Sequence, residues 1–339
     1  MNLYPIRLAP EFVARIWGTR DLSPIFGEVP GTEPIGEVWL TGDECKAANG
    51  PLAGTPLGEL ARRFGRELVG QMAPQADRFP LLVKFLFPRE KLSVQVHPDD
   101  ELARQVGQPS GKTECWYVLD AKPGAKIGLG LKPGTTKEDF ERAIREVRAE
   151  ELLNWIEVKP GEMYYVDAGT VHAIGPGSVL VETQQNSDTT YRLYDYGRPR
   201  ELHVEQGMAA LKEKTSAGKA IANEDILIVS PSFQVEHQTL SNTDRDRLPY
   251  YCENAEGGGS WPSMRIFTAL SGCGVFEGKG FEPVMFNAGD AVVVPSSVED
   301  FDLRPQWELE FLRMHIPPSG VSTLSNIVRP EDAPHVAKD

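Results

Sequence analysis

The stretch Leu92-Ser93-Val94-Gln95-Val96-His97-Pro98-Asp99-Asp100 constrains the fold more than any other part of the chain. Val94 and Val96 are β-branched and alternate with Gln95 and His97. Side chains two apart on a strand share a face, so the amide and the imidazole point one way and the valines the other. Pro98 and the aspartates then end the strand. Turning two polar groups inward is costly unless something in the interior binds them. A metal ion meets that need, because a neutral imidazole and an amide oxygen are both ligand types.

Two later stretches carry residues of the same kind. In Lys112-Thr113-Glu114-Cys115-Trp116-Tyr117-Val118-Leu119 the alternation places Lys112, Glu114, Trp116 and Val118 on one face of a strand. Gly161-Glu162-Met163-Tyr164-Tyr165-Val166-Asp167-Ala168-Gly169-Thr170-Val171-His172 reads as a short strand, a tight turn over Asp167–Gly169, and a second strand that presents His172. A weak echo of this unit recurs from Gly289 to Asp300, with Asp300 where the first copy has His172. The spacing fits a duplicated β unit whose second copy holds no metal.

The rest of the chain reads as short strands joined by turns, in keeping with 32 Gly and 27 Pro. Leu60, Phe64 and Leu68 predict a helix over Leu57–Val69. Thr135 with Glu138 predicts a capped helix over Lys137–Val147, followed by a second from Ala149 to Trp155. Residues 205–224 read as a helix and polar linker, 242–263 as a polar Gly-rich loop, and the tail from Pro317 as frayed at its end. Lys84, inside the apolar run Phe79–Phe87, sits either at a sheet edge or in a pocket. Glu37 and Trp39 share a strand face, which alone reads as ordinary core.

The net charge of −14 argues against nucleic acid and anionic membrane as partners. The four cysteines are scattered with no CxxC pair, and the N-terminal residues lack an apolar signal core, so a soluble cytoplasmic protein is expected.

Taken together, Gln95-x-His97 and Gly161-x5-Asp167-x-Gly169-x2-His172 resemble the two halves of the cupin signature. Glu114 and the inward cations narrow the resemblance. Arg15-Ile16-Trp17-Gly18, Ile35-Gly36-Glu37-Val38-Trp39, Gln95-Val96-His97-Pro98-Asp99, Lys112-Thr113-Glu114 and Ser187-Asp188-Thr189-Thr190-Tyr191-Arg192 are similar to the type I phosphomannose isomerases in their short bacterial form.

That resemblance implies a mainly β chain with two double-stranded β-helix (cupin) barrels and a small helical insertion near 135–155. The metal-binding unit would cover 1–210, a metal-free unit 225–316 and a tail 317–339. The activity implied is interconversion of mannose 6-phosphate and fructose 6-phosphate through an enediol. One Zn(II) per chain is expected on Gln95, His97, Glu114 and His172. Arg192, Asp188 and Lys112 are expected in catalysis, and Lys84, Trp17 and Glu37 around the substrate. The partner is a phosphorylated hexose, with no nucleic acid or membrane, and the chain would be a monomer or homodimer. Longer family members carry a His before the lysine, where this chain has Gly111. Two other readings stand beside this one: another metal-dependent cupin enzyme, such as an Fe(II) dioxygenase, and a non-catalytic sugar-binding cupin. The inward cations weigh against the first and the intact ligand set against the second.

Overall fold

The computed structural model describes residues 2–241 and 262–332. The polar loop expected over 242–263 lies outside the described residues as far as 261.

The chain is mainly β, and three large antiparallel sheets carry it. An eight-stranded sheet runs in the order Glu11–Thr19, Ile35–Trp39, Leu81–Leu86, Ser178–Gln185, Glu114–Ala121, Met163–Val166, Gly218–Ala220 and Ile327–Val328. A five-stranded sheet runs Leu153–Glu157, Lys126–Leu131, His172–Ile174, Val94–Val96 and Tyr191–Tyr194. These two sheets face each other across Trp17, Leu86, Trp116, Val118, Leu129 and Ile174. The candidate site lies at one end of that layer, where the buried faces turn from apolar to polar.

The third sheet is built from Ile6–Leu8, Ala291–Val294, Arg265–Glu277, Asp302–His315, Gln234–Ser241 and Ile226–Val229, with Val284–Asn287 on a side branch. Its Ile266, Leu312 and Met314 pack on Val83, Phe85 and Tyr117 from the outer face of the eight-stranded sheet. The N-terminal strand Ile6–Leu8 thus pairs with Ala291–Val294, near the far end of the chain. Likewise Ile327–Val328, in the segment read as a tail, pairs with Gly218–Ala220.

The helices differ from expectation in three places. Over 57–69 the helix is interrupted at Gly65, whose φ of 52° lies in the left-handed region, giving Leu57–Phe64 and Arg66–Val69. The insertion helix Lys137–Arg145 is capped by Thr136 and Asp139, one residue later than the Thr135–Glu138 pair. Both residue pairs fit the capping-box spacing, and only the Thr136 hydroxyl meets the Asp139 N–H, at 3.1 Å. Residues 149–155 form one 3-10 turn, Ala149–Leu152, and then a strand, because Leu153–Glu157 finds hydrogen-bond partners on Lys126–Leu131. Phe140 and Ile144 of the insertion helix pack on Val94 and Val96 from the outer face of the five-stranded sheet. The valines are thereby held outward and Gln95 inward.

Candidate metal centre and its cavity

Three strands bring one ligand each to a common point. His172 pairs in register with Gln95 inside the five-stranded sheet, and Glu114 opens its strand in the opposing sheet. His97, just past Val96, completes the group. Ligand atoms of His97, Glu114 and His172 all lie within 4.8 Å of one another, and all three residues are buried.

The second layer around them aims the imidazoles. His97 Nδ1 is 3.0 Å from the Thr189 carbonyl oxygen, and His172 Nδ1 is 2.9 Å from that of Thr170. A carbonyl only accepts, so each Nδ1 carries the proton and donates, and each Nε2 lone pair is left facing the centre. Burial, then the Lys112 charge, pushes the His97 imidazole well below its ordinary range. Burial, with Lys112 adding to it, lowers His172 to about 4. Both rings are therefore neutral at ordinary pH, the form that binds a metal.

Glu114 fits the same role. Burial and the neighbouring Glu182 carboxylate push its pKa up. Neither of its oxygens accepts a well-formed hydrogen bond, although Lys112 Nζ lies 2.8 Å from Oε2. A buried carboxylate in that state is relieved by a divalent cation. Gln95 reaches the same place: its Nε2 is 3.2 Å from His172 Nε2 and its Oε1 accepts from Ser93 Oγ at 3.0 Å. Turning the amide over presents its oxygen instead. Two imidazoles, a carboxylate and an amide oxygen form a borderline donor set suited to Zn(II) and its neighbours.

Gln95 and Lys112, in contact with His172 and His97, connect the centre to a cavity of about 450 Å³. Trp17, Glu37, Lys84, Lys112, Asp188 and Arg192 all line it, as does Gln95. Two larger cavities, of about 670 and 770 Å³, lie elsewhere, and neither is lined by Gln95, Lys84, Lys112 or Glu182. Lys84 is a pocket lysine, fully buried; its Nζ is 2.9 Å from Glu182 Oε1. Lys112 Nζ lies 3.0 Å from His97 Nε2 and 3.8 Å from Glu182 Oε1. A cation at the centre of the triad therefore requires the lysine chain to turn outward, toward the cavity.

Glu182 was not singled out by the sequence reading. It pairs in register with Lys84 on one side and Trp116 on the other, and it accepts from Trp116 Nε1 at 3.0 Å. The signal that points to it is Lys84 itself: a buried lysine needs a nearby anion, and Glu182 is the acidic residue on a strand that is otherwise apolar and neutral. Glu37 holds the opposite wall. Arg15 Nη2 and Trp39 Nε1 donate to its Oε2 at 2.9 and 2.7 Å. Burial alone would raise the Glu37 carboxyl, but Lys84 and Arg15 outweigh it and hold it at about 2.

Residues 6–133 match the family model described as phosphomannose isomerase type I, catalytic domain. A mannose-6-phosphate isomerase of Bacillus subtilis strain 168, ManA, is 36% identical over 322 residues, covering 89% of this chain and 96% of that protein. The chain belongs to the type I phosphomannose isomerases. The crystal structure of a mannose 6-phosphate isomerase from Bacillus subtilis superposes with a TM-score of 0.75 at 31% identity, over 92% of this chain and 99% of that one. A zinc-bound mannose 6-phosphate isomerase shares the family fold at a TM-score of 0.69 and 15% identity, over 92% of this chain and 99% of that one.

Proposed function

We propose that the chain interconverts mannose 6-phosphate and fructose 6-phosphate, using one Zn(II) held by Gln95, His97, Glu114 and His172. The observation that carries this reading is a buried His–Glu–His triad with neutral imidazoles, set beside a cavity lined by Gln95 and five cationic side chains. Such a metal polarises or orients the sugar oxygens at C1 and C2. The protein's own groups do the rest. Moving hydrogen between C1 and C2 through an enediol needs proton carriers and positive charge beside the oxygens. Lys112 and Arg192 provide that charge from either side of the cavity. Asp188 stands on the same lining and moves the proton that opens the sugar ring. Trp17 closes the floor with an apolar ring, while Lys84 and Glu37 set the charge of the walls.

The same reading takes the two facing sheets and the third sheet as two cupin barrels, over 1–210 and 225–316, with the helical insertion near 135–155. It places the enzyme in the cytoplasm as a monomer or homodimer. No helix among the described residues is long and apolar enough to cross a membrane. The test is a coupled assay for fructose 6-phosphate formed from mannose 6-phosphate, run on metal-replete and chelator-treated protein. Turnover that vanishes with chelation and returns with Zn(II) is expected. No turnover by metal-replete, folded protein overturns the reading.

A further inference from the structure

We propose that the substrate's phosphate binds at the outer end of the cavity, on Arg15 and Arg200, with Asp195 as the positioning residue that presents Arg200. The proposal rests on the isomerase reading and adds a polarity to the cavity: metal at the inner end, phosphate at the outer.

The outer end is built by the segment Tyr194-Asp195-Tyr196-Gly197-Arg198-Pro199-Arg200. Asp195 is buried, at 2% exposure. Its carboxylate accepts from Arg200 Nε and Nη2 at 2.7 and 2.6 Å, and from Arg198 Nη2 at 2.6 Å. Tyr196 holds a left-handed φ of 55° and Gly197 one of 78°, which turns the chain back on itself. Arg192 Nη1 donates to the Glu201 carbonyl at 2.8 Å, and the His203 N–H donates to the Arg192 carbonyl at 2.7 Å. The segment is thus folded onto the strand that carries Arg192, and Arg200 joins Arg192 on the cavity wall. Arg15 enters from the opposing sheet, with 30% of its side chain exposed, braced by Glu37.

Charge sets what this end can take. The lining carries five cationic residues, Arg15, Lys84, Lys112, Arg192 and Arg200, against three acidic ones, Glu37, Asp188 and Glu182. An excess of two positive charges in a chain of net −14 fits a phosphate dianion. The excess is not spread evenly. Each lysine lies against Glu182, and Lys112 against Glu114 as well, whereas Arg200 shares the single carboxylate of Asp195 with Arg198 and Arg15 shares Glu37 with the Trp39 ring N–H. The arginines crowd each other: burial first, then Arg200, Arg198 and Arg15, push the Arg192 guanidinium below its usual range despite Asp195 nearby. Arg192 Nε is buried without a hydrogen bond. Guanidinium groups also offer planar pairs of donors that match phosphate oxygens, which an ammonium does not. Asp195 takes Nε and Nη2 of Arg200 and leaves Nη1 as the nitrogen it does not use.

The test compares metal-replete wild type with Arg200→Ala, Arg15→Ala, Arg200→Lys and Asp195→Asn. Three quantities are read: kcat and KM on mannose 6-phosphate, kcat/KM on unphosphorylated mannose, and the calorimetric affinity for inorganic phosphate. Loss of a charged hydrogen-bonding partner predicts a KM for mannose 6-phosphate raised roughly tenfold or more in each alanine variant. Phosphate affinity should fall by a similar factor, and preference for the phosphorylated sugar over mannose should shrink with it. Arg200→Lys should recover part of the loss, and Asp195→Asn should reproduce the KM effect in folded protein. Equal losses on mannose and mannose 6-phosphate, or unchanged phosphate affinity, overturn the subsite. Wild type that binds phosphate but turns over neither sugar overturns the isomerase reading instead and leaves the anion site standing.

Discussion

Each buried charge of the centre has a defined counter-charge, which makes single substitutions informative. Glu182 lies against both Lys84 and Lys112. Removing one partner of a buried ion pair costs about 3–5 kcal/mol, because the other charge stays buried. Glu182→Gln is therefore expected to lower the denaturant midpoint strongly, and an unchanged midpoint contradicts this account. Glu37 makes a pH prediction. Its carboxyl is held at about 2 in the folded protein, below the ordinary 4.5. A depressed carboxyl stabilises the fold above its unfolded pKa and loses that effect as pH falls through its folded value. The stability advantage of wild type over Glu37→Gln should thus shrink by roughly 3 kcal/mol between pH 5 and 2, read by urea titrations at several pH values. Lys112 and Arg192 separate by a different measurement. Lys112→Met should keep the metal and lose turnover. Arg192→Ala should lower kcat with little change in KM if it serves the transition state.

At the scale of elements, the centre was legible where period-two alternation is strict. Gln95 and His97 against Val94 and Val96 needed nothing beyond the strand pleat. The alternation failed to disclose Glu182, since Lys84 meets it from a neighbouring strand through the register and Lys112, two residues before the strand that Glu114 opens, meets it only in the folded chain. The 3-10 turn and strand at 149–157 were missed for a similar reason: a local helical pattern gave way to hydrogen bonds on a distant strand. The close approach of Glu11–Thr19 to Ile35–Trp39 depends on two glycines that the motif matches contain but do not explain. A Cβ at Gly36 would stand 2.6 Å from Arg15 Cβ and 2.7 Å from the Trp17 ring, and one at Gly18 would stand 2.4 Å from the Ile35 carbonyl. At Gly18 the obstruction is backbone, and at Gly36 it is the Arg15 and Trp17 side chains, which would have to shift. Gly36→Ala is expected to destabilise by about 1–3 kcal/mol and to raise KM by displacing Arg15 and Trp17. Thermal melts together with steady-state kinetics check both halves of that statement.

For the whole molecule, metal and fold are linked through strands of two sheets. Glu114 belongs to one sheet and His172 to the other, so an ion bound to both clamps the layer between them. Ligands that bind only the folded state raise its stability by mass action. Chelation should therefore lower the melting temperature of wild type and leave that of His172→Ala almost unmoved. Elemental analysis should give one metal per wild-type chain and none in His172→Ala. In the third sheet His237 pairs with Glu310 at 2.7 Å, and His315 is lowered to about 3 by desolvation first and then by Arg313 and Arg265. A second equivalent that survives His97→Ala would contradict a single centre.

The pairing of Ile6–Leu8 with Ala291–Val294 has a consequence in time. A strand made early must wait for one made far later in the chain: Ile6 pairs with Val293. Until then its hydrogen-bonding edge has no partner, and the apolar side chains of Ile6 and Leu8 have not reached their burial site in the core they share with Val293. Contacts of such sequence separation form slowly, and an open strand edge is a template for association with other chains. A nascent chain halted before Ala291 can already contain every ligand of the centre, yet it lacks the strand that closes the sheet behind it. The newborn enzyme is most exposed to misassembly in the interval when its chemistry is complete and its edge is not.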